Sequence, residues 1–118
     1  MGLKRRYSLK KRRDFSAVYH RGASRADRYL VLLYLRGGKD LKIGLSVSKK
    51  LGGAVVRNRI KRLLRESVRP NLAHLKPGRY VLIARRGCVD APLAPVSRSF
   101  LSLAGKLGLL ESPERAQA

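Results

Sequence analysis

The side chains of this sequence that could do chemistry are mostly cations, and they crowd into one segment. Ser46-Val-Ser-Lys-Lys50 is followed closely by Ala54-Val-Val-Arg-Asn-Arg-Ile-Lys-Arg-Leu-Leu-Arg-Glu66. Wound as a helix at about 100° per residue, Val56, Ile60, Leu63, Leu64 and Val68 gather on one side, and Asn58, Arg62, Arg65 and Arg69 on the other. Arg57 and Lys61 flank one border of the polar face, and Arg59 and Glu66 flank the opposite border. One glutamate against six cations leaves a face that repels itself unless an anionic partner covers it. Arginine outnumbers lysine there, which suits forked hydrogen bonds to phosphate oxygens. Asn58 adds no charge and lowers helix propensity, so its use is a directed hydrogen bond. The chemistry on offer is recognition of phosphate.

Catalytic groups do not assemble in the same way. The seven acidic residues stand singly at Asp14, Asp27, Asp40, Glu66, Asp90, Glu111 and Glu114, whereas a two-metal nuclease needs paired carboxylates. His20 and His74 lie in unlike segments and read as surface residues rather than general bases. Ser46 and Ser48 have no evident activating partner. Gly44-Leu-Ser-Val-Ser-Lys-Lys50 looks superficially like a phosphate loop but lacks the second glycine before the lysine, which excludes a nucleotide-binding reading. The lone Cys88 excludes an internal disulfide and is too little for a zinc site, so it reads as a small, partly buried side chain.

Composition agrees with a polyanion partner. Lys and Arg number 28 against 7 Asp and Glu, giving +21 on 118 residues and a pI near 11.5. That balance disfavours a small-molecule enzyme and favours nucleic acid first, an anionic membrane surface second. The charge is spread along the chain, with seven cations between Lys4 and Arg13 and others at Lys49, Lys50, Arg85 and Arg86. The length fits one domain with one core, and the 44% hydrophobic content argues against disorder. No apolar run approaches the roughly 20 residues that span a bilayer, and Met1-Gly-Leu-Lys-Arg-Arg lacks the apolar region of a signal peptide. The expectation is a cytoplasmic protein with a single nucleic-acid-binding domain over residues 1–118.

The elements that must position these groups follow from periodicity. Phe15, Val18 and Tyr19 fall at i, i+3 and i+4, predicting a short helix from Lys11 to Arg21 with Gly22 at its stop. Arg28 to Arg36 is an apolar run between charges, Lys42 to Ser48 is a second run, and Gly37-Gly38-Lys39-Asp40 between them is turn chemistry; the pair reads as a hairpin, with a further short strand near Ser24 to Asp27. Pro70 closes the basic helix, Lys76-Pro77-Gly78 makes a turn, and Tyr80 to Ala84 is a buried strand. Asp90-Ala-Pro92 looks like a cap with an early proline. Leu93, Val96, Phe100, Leu103, Leu107 and Leu110 then give a helix with one apolar face. The predicted class is α+β: a small central sheet with three helices, in the order helix, strands, basic helix, strand, helix.

In combination, Phe15-Ser-Ala-Val-Tyr19 with Arg21-Gly22, Gly44-Leu-Ser-Val-Ser-Lys-Lys50, Arg57-Asn-Arg-Ile-Lys-Arg-Leu-Leu-Arg-Glu66 and Val81-Leu-Ile-Ala-Arg85 resemble the bacterial ribonuclease P protein subunit, from about residue 7 to residue 108. The resemblance implies a β-α-β unit around the basic helix with the uncommon left-handed crossover. It implies endonucleolytic removal of the 5′ leader from precursor tRNA by a separate catalytic RNA. Mg²⁺ would be held mainly by that RNA, with no catalytic residue or metal ligand in the protein. The implied partners are the catalytic RNA and precursor tRNA, with no membrane and no small-molecule substrate.

By the same resemblance Lys49, Lys50, Arg57, Asn58, Arg59, Lys61, Arg62 and Arg65 meet the catalytic RNA. Phe15 and Tyr19 line a cleft for the single-stranded leader, where stacking surfaces and backbone cations are wanted. The strand position at which the family often presents an aromatic aligns with Leu33, and its neighbour Tyr34 is the aromatic offered to that cleft. The cluster from Lys4 to Arg13 reads as a basic arm that orders on RNA, with residues 1–7 and 111–118 flexible. A ribosomal or other structural RNA-binding protein would share the charge and the small α+β fold. A protein-only nuclease and a membrane binder fit less well, for want of clustered carboxylates and of an exposed aromatic-rich face.

Overall fold

Tyr80-Val-Leu-Ile-Ala84 is apolar at every position, and such a strand is stable only with both faces covered. In the computed structural model, which describes residues 5–111, it takes the middle of the sheet. Four strands, β1 (Ala23–Ala26), β2 (Leu30–Leu35), β3 (Leu41–Ser46) and β4 (Gly78–Ala84), run in the order β1-β2-β4-β3. Three α-helices, α1 (Arg12–Arg21), α2 (Ala54–Val68) and α3 (Leu93–Lys106), complete the α+β fold. Among the described residues no helix is long and apolar enough to cross a membrane.

The hairpin predicted for Arg28 to Ser48 does not form. β4 inserts between its two strands, antiparallel to β2 and parallel to β3, with Leu32 opposite Leu82 and Ile43 opposite Tyr80. The turn chemistry at residues 37–40 is real, with Gly38 at φ 69°, but it carries the chain across the width of β4. The true hairpin is β1 with β2, built on the short strand expected near Ser24. Its turn is fixed by Asp27, whose Oδ1 accepts from the backbone N–H groups of Tyr29 (2.8 Å) and Leu30 (3.1 Å), while Oδ2 accepts from the Ser99 hydroxyl of α3. Burial pushes the Asp27 carboxyl up. The bonds from Ser99, Tyr29 and Leu30, with Lys106 nearby, outweigh that and hold it below its ordinary value. A carboxyl depressed on folding stabilises above its unfolded value of about 3.9, and that stabilisation is lost as pH falls through the folded value. The stability difference between the wild type and Asp27→Asn should therefore be constant above pH ~5 and shrink in more acid solution, read by thermal melts across that window.

The sheet has two dressed faces. On one, α2 and α3 pack through Ile60, Leu64, Val68, Val96, Phe100 and Leu103 onto Leu30, Leu32, Ile43, Tyr80 and Leu82. On the other, α1 sets Phe15 and Val18 against Leu33 and Val81. The apolar stripe expected of the basic helix is the stripe it buries, although Val56 and Leu63 are only partly covered. Ser67 joins that face because its hydroxyl donates to the Leu63 carbonyl at 2.8 Å. Gly22 ends α1 as expected, but with extended backbone (φ −77°): an added Cβ would lie 2.5 Å from the Val18 oxygen and 2.8 Å from that of Tyr34, so close approach demands the glycine. Pro70 falls in a 3-10 helix, Arg69–His74, that continues from α2. Asp90 does not cap α3. The helix starts at Leu93 with Pro92 at its N-cap, and Asp90 stands at φ 62°, a left-handed conformation that aspartate tolerates better than most residues.

The basic arm is described from residue 5 onward. Residues Arg5–Tyr7 make a 3-10 turn, Ser8 forms a parallel bridge with Ile43, and the Leu9 N–H donates to the Ile43 carbonyl at 2.9 Å. Leu9 is buried, and Lys42 donates to the Arg6 carbonyl. Residues 6–9 therefore lie along the edge of β3 before α1 begins. Residues 1–4 lie outside the described residues. At the other end the Glu111 N–H donates to the His74 carbonyl beside a Leu75–Leu110 bridge, and the rest of the tail expected to be flexible, residues 112–118, lies outside the described residues.

Candidate nucleic-acid interface

β3 is an edge strand, and its polar Lys42 and Ser46 suit that place. A groove of about 320 Å³ runs beside it, lined by Ser8, Leu9, Phe15, Ile43, Leu45, Lys61 and Arg65. An aromatic from α1 and two cations from α2 thus meet across one strand. Gly44 makes this possible: a Cβ there would fall on Phe15 Cζ and 2.6 Å from Cε1, so the ring rests on bare backbone. Tyr19, one turn along α1, is 43% exposed, unusual for a large apolar ring in this chain.

Tyr34 does not belong to this cleft. It lies on the opposite face of the sheet, edge-on to Tyr80 with ring centroids 4.9 Å apart, and donates its hydroxyl to the Pro77 carbonyl. Burial raises its phenol above the ordinary value. Side chains alternate along a strand, so Leu33 takes the α1 face instead, and it is buried beneath α1 with Val18 and Val81. Around it Val31, Leu35 and Ile83 remain partly open.

The cations of α2 divide by what holds them. Arg57 donates through Nε to the Gly52 carbonyl at 3.2 Å, and Arg59 through Nη2 to the Ala91 carbonyl at 2.8 Å. These two arginines brace loops as well as presenting charge. Asn58 and Arg62 are exposed, and Lys61 and Arg65 half-exposed, with no hydrogen-bond or carboxylate partner among the described residues. Glu66 instead pairs with Arg69 at 2.7 Å. Lys49 and Lys50 are exposed in a 3-10 turn, Lys49–Leu51, whose start is capped by the Ser48 hydroxyl accepting from the Lys50 N–H at 3.1 Å. Gly52 follows at φ 148°, a conformation open to glycine that swings the chain into α2.

Cys88 is buried and donates to the Tyr29 carbonyl, and burial pushes its thiol up, away from nucleophilic use. Among the described residues no three imidazole, thiol or carboxylate groups come together, so the donor set does not fit a Mg²⁺ site. Ser8, Leu9, Ile43 and Leu45 were not singled out from sequence as groove residues. The one available signal was Leu9, an apolar residue inside a run of cations.

The comparisons with known proteins converge with this geometry. The family model described as Ribonuclease P matches residues 3–108. The ribonuclease P protein component of Bacillus velezensis is 44% identical over 109 residues, covering 91% of this chain and 94% of that protein. That of Geobacillus kaustophilus is 42% identical over 112 residues, covering 92% and 93%. Among solved structures, the Staphylococcus aureus RNase P protein superimposes with a TM-score of 0.82 at 32% identity, covering 89% of this chain and 98% of that one. The Thermotoga maritima RNase P protein gives 0.72 at 31% identity, covering 80% and 92%. With its matched length, its mixed four-stranded sheet and its basic α2 all in agreement, the chain belongs to the ribonuclease P protein family.

Proposed function

We propose that the chain binds the catalytic RNA of a cytoplasmic ribonuclease P through the cationic face of α2 and its Lys49–Lys50 approach, and receives the single-stranded 5′ leader of precursor tRNA in the groove beside β3. Cleavage of the leader phosphodiester belongs to the RNA, which also holds the Mg²⁺; the protein supplies binding. The observation that carries this reading is the meeting of Phe15 with Lys61 and Arg65 across β3. A ring beside phosphate-binding cations is what a single strand requires, since each base has a π-face and each linkage a charge. Lys61 and Arg65 stand at the border of both RNAs, so they couple assembly to leader capture. Asn58 and Arg62, on the open side of α2, serve assembly.

The test is the affinity of the holoenzyme for precursor over mature tRNA as the leader is shortened. The preference should vanish once too few nucleotides remain to reach Phe15, and a preference independent of leader length would contradict the reading. Gly44→Val supplies a variant that changes no charge. Its side chain must displace the Phe15 ring, so the leader-dependent preference should fall severalfold while affinity for the catalytic RNA stays unchanged, both read by filter binding.

A further inference from the structure

At the end of the sheet where β3 leads into Lys49 and Lys50, three arginines from distant parts of the chain come together. Arg28 precedes β2, Arg85 and Arg86 follow β4, and with Gly87 and Val89 they line a depression of about 460 Å³. Backbone bonds fix the grouping, as Arg85 N–H donates to the Tyr29 carbonyl (2.9 Å) and Gly87 N–H to the Arg28 carbonyl (3.2 Å). Gly87 is obligatory because a Cβ there would collide with the Arg28 carbonyl oxygen and lie 2.9 Å from its carbon. Arg85 is steadied by donating through Nη1 to the Asp27 carbonyl at 2.8 Å, and Arg28 lies over the Tyr29 ring at 5.3 Å. The nearby carboxylate does not neutralise them. Asp27 is turned inward onto Ser99 and two backbone N–H groups. The loop after Arg86 is tied to α2 by Arg59, through the Ala91 carbonyl.

We propose that Arg28, Arg85 and Arg86 form a second phosphate cradle that takes the sugar-phosphate backbone of the catalytic RNA, continuing the surface that begins at Lys49 and Lys50. This rests on the reading of α2 as the catalytic-RNA face. Two guanidinium groups held in place beside a third, none of them paired with a carboxylate among the described residues, fit phosphate oxygens. A folded RNA is favoured over the single-stranded leader because no aromatic ring lines the depression, and the neighbouring Tyr29 has Arg28 over one of its faces. The cradle also shares no residue with the groove at Phe15.

The experiment titrates the full chain against catalytic RNA at several salt concentrations and the holoenzyme against precursor and mature tRNA. It compares wild type, the Arg28→Gln/Arg85→Gln/Arg86→Gln variant and Arg86→Glu alone. The Arg86 side chain has no partner among the described residues, so its variant keeps the fold if the triple one does not. The triple variant should bind catalytic RNA about tenfold or more weakly near physiological salt. Its log K against log salt slope should be shallower by up to ~0.9 for each phosphate no longer neutralised. Arg86→Glu should weaken binding severalfold, and precursor preference should not move in either variant. Unchanged affinity and slope in a folded Arg86→Glu chain overturns the cradle, as does a loss confined to precursor tRNA, which would assign it to the substrate. Failure of the wild type itself to bind catalytic RNA would instead bring down the function proposed above.

Discussion

The Lys61→Ala/Arg65→Ala variant should lose about ten- to thirtyfold in affinity for the catalytic RNA near physiological salt, with a salt slope shallower by ~1.8 if both side chains neutralise duplex phosphates. In the assembled enzyme it should also lose preference for precursor over mature tRNA, because the same two cations line the groove with Phe15. Its thermal stability should be unchanged or slightly raised. Neither side chain has a carboxylate partner among the described residues, and removing them relieves repulsion along α2. An Arg62→Ala variant makes the contrast: weaker assembly with precursor preference intact. If the double variant melts well below the wild type, the two side chains hold the fold rather than RNA.

Phe15→Ala should have the profile opposite to that of Arg62→Ala, with precursor preference lost and assembly intact. Stacking of one base on an aromatic is worth roughly 1–3 kcal/mol, so the affinity of the holoenzyme for precursor tRNA should fall by about five- to 150-fold while mature tRNA is bound as before. The ring is also half of what α1 sets against the sheet, beside Leu9, Val18 and Val81, so a stability loss of about 1–2 kcal/mol should accompany it, less than the 3–5 of a fully buried phenylalanine. Tyr19→Ala, at a 43% exposed position, separates the two effects: precursor preference should fall with little change in melting temperature. Equal loss for precursor and mature tRNA would make Phe15 a core residue only.

What could be read from the sequence follows from how each element encodes its neighbours. A helix writes its buried face into its period, so Ile60, Leu64 and Val68 could be assigned inward and Asn58 and Arg62 outward before any coordinates. The same period gave Val96, Phe100 and Leu103 in α3, but Leu93, at the first turn, stays 43% exposed because periodicity says nothing about where the packed partner ends. Strands are poorer informants. Leu-Val-Leu-Leu-Tyr-Leu in β2 is apolar on both faces, so no polar alternation sets its phase, and Tyr34 was offered to a cleft that it faces away from. Nor does a strand name its partner: the turn at residues 37–40 suited a hairpin until β4, from beyond the whole of α2, took the central place. The groove itself joins residues 8, 15, 43 and 61, a coincidence of tertiary structure with no local trace in the chain. The division of labour among the α2 arginines was equally hidden, since the carbonyls that engage Arg57 and Arg59 belong to loops whose paths only the fold decides.

The measurement closest to the central claim, that this protein contributes binding and the RNA contributes chemistry, is single-turnover cleavage of a 5′-extended precursor tRNA at low, near-physiological Mg²⁺. Catalytic RNA alone, protein alone and the two together are compared. Slow cleavage by the RNA, none by the protein and rapid cleavage by the pair are expected. Cleavage by the protein alone, or a pair no faster than the RNA, would contradict that claim.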